Sequence, residues 1–163
     1  MTGVHVRQAT AADAPVVEAM LREAAAWVDA LGVVMWTDGE LDAAQIAGDV
    51  SAGQYVLAEV AGAPAGAIRF QLEDPRFWPD RPAGEAAFVH RLVVRRAFKG
   101  SGVSVALLEW ARQQAHDAGR AYLRLDCDAN REKLRQLYER CGFRLHSYRQ
   151  VGPYYVSRYE IET

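Results

Sequence analysis

The sequence predicts a single mixed α/β domain over residues 1–163. Short segments that alternate apolar and polar residues, as strands do, are interleaved with longer segments whose apolar residues recur at helical spacing. Length and composition agree, because 163 residues, 50% of them hydrophobic and 25% charged, suit one globular domain. A chain of this length buries about two-thirds of its unfolded surface, so it needs no disulfide or metal to fold.

The first half of the chain contains start and stop signals for two helices. Thr10 and Asp13 form a capping pattern, Pro15 follows in the first helical turn, and Gly32 ends the helix. A second capping pattern at Thr37–Glu40 opens the next helix. The predicted elements are, in chain order, the strand Val4–Gln8, the first helix, a helix over Leu41–Ser51 and a hairpin of the strands Tyr55–Val60 and Ala65–Leu72.

The second half predicts one β–α–β crossover followed by a final strand pair. The strand Ala86–Val94 is apolar at nearly every late position, which is typical of a strand covered on both faces. Gly119 and Gly142 end the two helices of this half. After the proline-rich loop Glu73–Gly84, the predicted elements are the strand Ala86–Val94, the helix Val103–Ala118, the strand Tyr122–Cys127, the helix Glu132–Cys141 and the strands Phe143–Tyr148 and Tyr155–Glu162.

Charge and cysteine content exclude several classes of protein. Nineteen basic and twenty-one acidic residues give a net charge of -2, whereas non-specific nucleic-acid binding needs an excess of Lys and Arg. Two distant cysteines, Cys127 and Cys141, and four scattered histidines have no metal-ligand spacing, so we expect no metal. We find neither a signal peptide nor a run of about 18 apolar residues, so we expect a cytoplasmic protein that does not bind membranes.

A loop of small residues, Lys99–Ser104, leads from the strand Ala86–Val94 into the next helix. The first backbone N–H groups of a helix have no partner within it, and together with the helix dipole they favour an anion such as a phosphate. Neither common nucleotide motif fits, because a Walker A loop is absent and the dinucleotide motif would need glycine in place of Val105. A purely structural turn is the alternative interpretation.

A second motif follows some thirty residues later, the run Leu137–Phe143 with the sequence Leu-Tyr-Glu-Arg-Cys-Gly-Phe. Together with the strand His90–Val94 and the loop Lys99–Ser104, it resembles the GNAT superfamily of acetyl-CoA-dependent N-acetyltransferases. The family loop reads Gln/Arg-x-x-Gly-x-Gly/Ala, and this chain has Lys99-x-x-Gly102-x-Ser104. The resemblance covers Ala86–Phe143 and implies the GNAT fold, a mostly antiparallel, splayed sheet flanked by helices.

The resemblance implies acetyl-CoA as co-substrate and assigns most of its contacts to backbone groups. An N–H near Val93 or Val94 would polarise the thioester carbonyl, an effect worth about 3 kcal/mol. Asn130 would also contact CoA, and capping the following helix is its alternative role. The residues implied for the pantetheine arm are Leu92, Val93 and Val94, and those for the pyrophosphate are Lys99, Gly100, Ser101, Gly102, Val103 and Ser104.

The implied chemistry is direct attack of an amine on acetyl-CoA in a ternary complex. Tyr138 matches the family tyrosine that protonates the departing CoA thiolate, and a phenol with a pKa of about 10 suits that task. Its alternative role is packing, because Tyr138 shares helical spacing with Leu134 and Leu137.

A base must also act, because an alkylamine is mostly protonated at neutral pH. His90 is the residue we predict for this role, since imidazole titrates near neutrality, and packing within the strand is its alternative role. Ordered water could replace a single base. The other candidate bases are Glu59, Glu73 and Glu85.

Two tryptophans, Trp36 and Trp78, fall in predicted loops, where a large aromatic is hard to explain as core. In the superfamily these segments wall the acceptor site, so we expect both residues to bind the substrate. The same loops contain acidic residues that would attract an amine or simply be solvated, namely Asp38, Glu40, Glu73, Asp74 and Asp80.

The sequence therefore predicts an N-acetyltransferase that acts on a primary amine of a small molecule, with a protein N-terminus or lysine as the alternative acceptor. A homodimer is a further expectation from the family. A non-catalytic acyl-CoA-binding or sensor module on the same fold is the competing hypothesis. A regulator that binds ATP at the glycine loop is a third, and it lacks a Walker lysine and a magnesium ligand.

Overall fold

The structure is a computed structural model that describes residues 3–33, 35–36 and 38–163. These residues form seven strands and four α-helices, with short 3-10 helices at Ala11–Asp13, Asp38–Leu41 and Arg96–Phe98. The strands are β1 (Val4–Gln8), β2 (Tyr55–Val60), β3 (Ala63–Gln71), β4 (Ala86–Val94), β5 (Tyr122–Asp128), β6 (Arg144–Val151) and β7 (Tyr154–Glu162). The helices are α1 (Ala14–Ala30), α2 (Ala43–Ser51), α3 (Val103–Asp117) and α4 (Glu132–Arg140).

The strands hydrogen-bond in the order β1-β2-β3-β4-β5-β7-β6. The pairs β1–β2, β2–β3, β5–β7 and β6–β7 are antiparallel, whereas β4 and β5 are parallel. The register joins β4 to β5 only from Ala86–Phe88 to Tyr122–Arg124, although both strands continue beyond it. The prediction of a mixed, mostly antiparallel α/β fold is confirmed.

The chain divides into two compact units, and the first comprises Met1–Arg69 and Arg91–Leu107. In it, α1 and α2 pack on the first two strands because each helix has an apolar stripe at helical spacing. Fully buried members of this core are Val17, Met20 and Leu21 of α1, Ile46 and Val50 of α2, and Tyr55 and Leu57 of β2. The expectation of one domain over residues 1–163 stays a prediction.

The helix starts follow from short acidic caps. The Thr10 N–H donates to Asp13 Oδ2 over 2.7 Å, as the first capping pattern predicts. The start of α2 differs from the prediction, because Asp42 is its cap and accepts a hydrogen bond from the Gln45 N–H over 2.9 Å. The helix therefore begins at Ala43, after the 3-10 turn Asp38–Leu41. Thr37 lies outside the described residues.

The second unit comprises Phe70–His90 and Leu108–Thr163. Its centre includes charged side chains as well as apolar ones. Arg124 is 1% exposed and donates to both Glu85 and Glu160 over 2.8 and 2.9 Å. A buried arginine needs such partners, because an unpaired charge inside a protein costs several kcal/mol. Among the described residues, no helix has the length and apolar character needed to span a bilayer.

Candidate active site

In the first unit, the loop Lys99–Gly102 is exposed and leads directly into α3. Gly100 and Gly102 have φ angles of +80° and +79°, which glycine adopts without the cost that other residues incur. The N–H groups of Lys99 and Ser101 already donate within the turn, to Arg96 O and Phe98 O over 3.2 and 3.1 Å. The N–H groups best suited to an anion are therefore those of Gly100, Gly102, Val103 and Ser104.

A close contact of β3 with β4 and with the first residue of α3 fixes where α3 begins. A Cβ atom at Gly66 of β3 would lie 2.7 Å from Val93 O and 2.7 Å from Val103 Cγ1. Only a residue without a side chain allows β4 and the first residue of α3 to approach so closely. Gly66 thereby positions both the strand segment Leu92–Val94 and the start of the anion-binding loop.

Arg91 interrupts the regular backbone of β4 immediately before Leu92. Its φ angle is +55°, a conformation that costs a non-glycine residue about 1–3 kcal/mol. The Arg91 guanidinium donates to Tyr55 Oη over 3.1 Å and to Glu40 O over 2.7 Å. Its Cζ lies 5.7 Å from the ring centre of Trp36, which packs against the core of this unit. These contacts hold the strained residue and Trp36 together.

In the second unit, Tyr138 projects from α4 into an aromatic cluster. Its ring is 5% exposed, and its centre lies 6.1 Å from those of Phe143 and Tyr159. Burial, reinforced by nearby Cys127 and Asp126, raises the pKa of Tyr138 well above its ordinary value. The phenol therefore keeps its proton at physiological pH, which is the state that a proton donor needs.

Asp74, His90 and Asp126 form a second cluster in the same unit. Their side chains come from the loop before β4, from β4 and from β5. His90 Nε2 lies 2.7 Å from Asp74 Oδ2, and His90 Nδ1 lies 3.6 Å from Asp126 Oδ2. The side chains are 17%, 6% and 8% exposed for His90, Asp74 and Asp126, so the imidazole is the most accessible of the three. We call these three residues the Asp–His–Asp cluster.

The two carboxyl groups of this cluster have opposite pKa shifts. Burial alone would raise the pKa of Asp74, but the hydrogen bond with His90 and those from the Phe77 and Arg76 backbones lower it overall. Burial raises the pKa of Asp126 to about 6, and the nearby Asp74 charge adds to the shift, while His90 opposes it. At neutral pH the Asp–His–Asp cluster therefore holds excess negative charge that is only partly compensated.

The Asp–His–Asp cluster is also the set of described residues that could hold a metal ion, because its ligand atoms lie within 4.8 Å of one another. Asp74 lies 2.7 Å from one ring nitrogen of His90, and Asp126 lies 3.6 Å from the other. The expectation that the protein binds no metal stays a prediction.

Comparison with known proteins assigns the family. Residues 18–143 match the model of the acetyltransferase (GNAT) family, which is more than half of the chain. The chain belongs to the GNAT family of acetyltransferases. The predicted family is thus confirmed, and the segment that matches includes both motifs on which the resemblance was based.

Relatives agree with this assignment. The Bacillus subtilis (strain 168) protein described as the uncharacterized N-acetyltransferase YesJ is 36% identical over 70 residues, 43% of this chain and 39% of that protein. The alignment thus spans about two-fifths of the length of that curated relative. A GNAT acetyltransferase from Listeria monocytogenes 4b F2365 superposes with a TM-score of 0.82 and 27% identity, covering 100% of this chain and 98% of that one.

Structures of more distant proteins share the fold. The putative acetyltransferase yncA from Salmonella typhimurium, solved with acetyl-CoA, has a TM-score of 0.74 and 17% identity, with 98% and 94% of the two chains covered. The paia N-acetyltransferase from Thermoplasma acidophilum, in complex with coenzyme A, has a TM-score of 0.77 and 15% identity, with 96% and 98% covered. The predicted GNAT fold is confirmed.

The predicted site residues of this acetyltransferase fall into the two units. The first unit contains Trp36, Leu92–Val94 and Lys99–Ser104, and the second contains His90, Trp78, Asn130 and Tyr138. Within the second unit, the charge of Asp126 acts on Tyr138 as well as on His90. The roles of all these residues stay predictions.

The structure bears on the roles considered for Asn130 and Trp78. Helix α4 is capped at Arg131, so Asn130, which is exposed, is not the cap residue. Trp78 is 3% exposed, and its ring is covered by Phe88 and by the guanidinium groups of Arg124 and Arg158. A substrate contact by Trp78 stays a prediction, and it would require these surrounding side chains to move.

The structure shows ion pairs for two of the other candidate bases and for one acidic loop residue. Glu59 forms an ion pair with Arg7, and Glu85 forms one with the buried Arg124. Asp80, predicted as an acidic loop residue, is bound by Arg158 through two hydrogen bonds of 2.7 and 3.0 Å. Glu59, Glu85 and Asp80 thus each have an arginine partner.

Sequence reasoning missed Gly66, the strained Arg91 and the pairing of Asp126 with His90. A signal existed for Asp126, because it is an acidic residue between Leu125 and Cys127 in a predicted apolar strand. Such a residue is rarely buried without a partner. For Gly66 and Arg91 the chain offers no comparable signal.

Proposed function

We propose that this acetyltransferase moves the acetyl group of acetyl-CoA to the primary amine of a small molecule, by direct attack in a ternary complex. The observation that carries the proposal is the match of residues 18–143 to the acetyltransferase (GNAT) family, within which Tyr138 is the proton donor we assign. Acetyl-CoA as co-substrate is supported by two structural relatives, solved with acetyl-CoA and with coenzyme A. A cytoplasmic location and a homodimer stay predictions.

In this mechanism the backbone N–H groups of Gly100, Gly102, Val103 and Ser104 bind the pyrophosphate of the co-substrate. The exposed position of the loop and the start of α3 immediately after it support this role. Leu92–Val94 binds the pantetheine arm through its backbone, as the family resemblance implies. An N–H of this segment stabilises the negative oxygen that forms on the thioester carbonyl.

His90 accepts a proton from the ammonium group of the acceptor, which leaves the electron pair on the amine nitrogen. The amine attacks the thioester carbon, the carbon–sulfur bond breaks, and Tyr138 gives its proton to the CoA thiolate. The tyrosinate regains a proton from the nitrogen that has become the amide. One proton is released for each amide formed, so atoms and charges balance.

Trp36 contributes an aromatic wall to the acceptor site in this proposal. Its partial burial and its position beside the Arg91 guanidinium support a fixed orientation. A rigid aromatic face suits an apolar or a cationic amine. Trp78 belongs to the second unit, and its predicted substrate contact would require the side chains that cover it to move.

The proposal is tested by measuring free-thiol release from acetyl-CoA across a panel of small amines, amino acids and lysine-containing peptides. We expect turnover that depends on one class of amine and falls at least about tenfold in Tyr138→Phe. Tyr155→Phe, which removes a hydroxyl from a 48% exposed tyrosine on β7, is the matched control and should leave the rate unchanged.

The alternative acyl-CoA sensor is distinguished in the same experiment. A sensor would be stabilised against heat by acetyl-CoA and would release no thiol with any amine, because a ligand stabilises the folded state that binds it. Stabilisation by ATP in place of CoA would point to the nucleotide-binding alternative. Equal rates for the wild type and Tyr138→Phe would remove the tyrosine from the mechanism.

A further inference from the structure

Asp126 is a buried carboxylate to which the mechanism above gives no task. Its side chain is 8% exposed, and Oδ2 has no hydrogen-bond partner among the described residues. It lies in β5 opposite Arg158 of β7, whose guanidinium is occupied by Asp80, Phe77 O and Ser147 Oγ. A buried acidic group without hydrogen bonds is costly, so its position needs an explanation.

The neighbouring imidazole supplies that explanation. Asp74 is held in its ionised form, so the proton in its hydrogen bond with His90 belongs to Nε2. In a neutral imidazole the other nitrogen then carries a lone pair, and Nδ1 lies 3.6 Å from the Asp126 oxygen. Two electron pairs that face each other repel, so one proton on either atom stabilises the arrangement.

The titratable groups around this pair come from three elements. Asp74 and Arg76 face it from the loop before β4, and Arg158 faces it from β7. Tyr138 of α4 is neutral and also responds to the charge of Asp126. The guanidinium groups moderate the negative charge of the two carboxylates but do not cancel it, so the surroundings favour a proton that arrives at Nδ1 of His90.

We propose that Asp126 is a positioning residue for base catalysis: its carboxylate faces Nδ1 of His90, the nitrogen that accepts the proton, while Asp74 holds the proton on Nε2. The proposal deepens the proposed function and rests on it. When the acceptor binds, an N–H bond of its ammonium group breaks and its electron pair stays on the amine. The lone pair of Nδ1 forms the new N–H bond, Nε2 keeps its proton, and the charge of Asp126 balances the resulting imidazolium.

The first test is independent of any acceptor. Protein labelled with ¹³C at the aspartate carboxyl carbon is titrated by NMR, and the Asp126 signal is identified by its loss in Asp126→Asn. We expect a midpoint of about pH 6. The midpoint should rise in His90→Gln, because His90 lowers the pKa of Asp126, and fall in Asp74→Asn, because the Asp74 charge raises it. Asp117→Asn, which removes an exposed charge on α3, is the matched control and should leave the midpoint of Asp126 unchanged.

A midpoint near the ordinary value of about 4 that neither variant moves would overturn the proposal. A titration that changes on addition of EDTA, or that is abolished by Zn²⁺ at equal concentration, would overturn it in favour of a metal site. If Asp126→Asn does not fold, the Asp126 carboxyl is identified by comparing the signals that move in His90→Gln and Asp74→Asn.

The second test is the pH profile of kcat/KM with an amine from the panel. We expect the acidic limb of Asp126→Asn to move to lower pH and its plateau to fall about tenfold, because the imidazole holds its proton less strongly. Asp126→Glu should recover part of the rate, and the KM for acetyl-CoA should not change. If the role of Asp126 were purely structural, Asp126→Asn would lower the rate without shifting the acidic limb of the pH profile.

The two tests separate failure of the proposal from failure of the function. Coupled titration in an active enzyme whose pH profile is unmoved by Asp126→Asn overturns the base role alone. Coupled titration in a protein that acetylates no amine of the panel overturns the proposed function, and the base role with it.

Discussion

At the scale of single residues, burial decides which reactive side chains can take part in chemistry. Tyr138 and Cys127 are both buried, and burial raises the pKa of both. For a proton donor a raised pKa keeps the proton in place, although it also makes the group a weaker acid. For a nucleophile it is disabling, because only the thiolate reacts.

Cys127 is therefore expected to be unreactive in the folded protein. It is 7% exposed, and burial raises the pKa of its thiol to about 11. A disulfide reagent at pH 7.5 should modify the same number of thiols in native wild type and native Cys127→Ala. In denaturant the wild type should show one thiol more than the variant. One thiol fewer in the native variant would contradict the prediction.

At the scale of elements, the start of α3 depends on a contact that no local pattern contains. The loop Lys99–Gly102 has the small residues expected of an anion site, but its position is fixed by Gly66 of β3. The helix N-terminus can bind a phosphate only where the surrounding backbone leaves room and holds the donors in place. Gly66 thus positions the loop to which we assign co-substrate binding, although no ligand need touch it.

Gly66→Ala is expected to destabilise the fold by about 1–3 kcal/mol, because the added methyl group would overlap Val93 O and Val103 Cγ1. It should also weaken CoA binding, measured as a smaller thermal shift with CoA. Gly48→Ala in α2 is the control, since a Cβ there meets nothing within 4 Å. That variant should be stabilised by up to about 1 kcal/mol. Similar effects of the two variants would refute the role of Gly66.

At the scale of the whole molecule, carboxyl groups set how stability depends on pH. The Arg158 guanidinium lowers the pKa of Asp80, and Arg124 lowers that of Glu85. Such groups contribute stability above their ordinary pKa, and the contribution is lost as the pH falls through the folded-state value. Asp126 acts in the opposite sense, because its pKa is raised to about 6.

Asp126→Asn should therefore stabilise the protein at neutral pH. Below about pH 4, Asp126 is protonated in both the folded and the unfolded state, so the variant gains nothing. Between about pH 4 and 6 the unfolded chain ionises first and wild-type stability falls. Above that range the variant should be more stable by on the order of 2–3 kcal/mol. Chemical denaturation at pH 3.5, 5 and 7.5 measures this, and a variant less stable at pH 7.5 contradicts it.

Much of the fold could be predicted because its signals are local. The strand Ala86–Val94 and the start of α3 at Val103 match the predicted boundaries, since apolar periodicity and glycine loops act over a few residues. The start of α2 differs from the prediction because Thr37–Glu40 and Asp42 offer competing caps, and Asp42 is the one whose side chain accepts from the Gln45 N–H. Local sequence patterns indicate several possible helix starts, but they do not show which one the folded chain uses.

The sequence by itself determined the family, the order of elements and the glycine-containing loop Lys99–Ser104 at the start of α3. Only the tertiary structure decided that Asp74 and Asp126 meet His90, because these residues come from three separate segments. It also decided that Trp78 is buried against arginines. Local patterns reflect interactions between chain neighbours, whereas these pairings and pKa shifts depend on which segments pack together and exclude water.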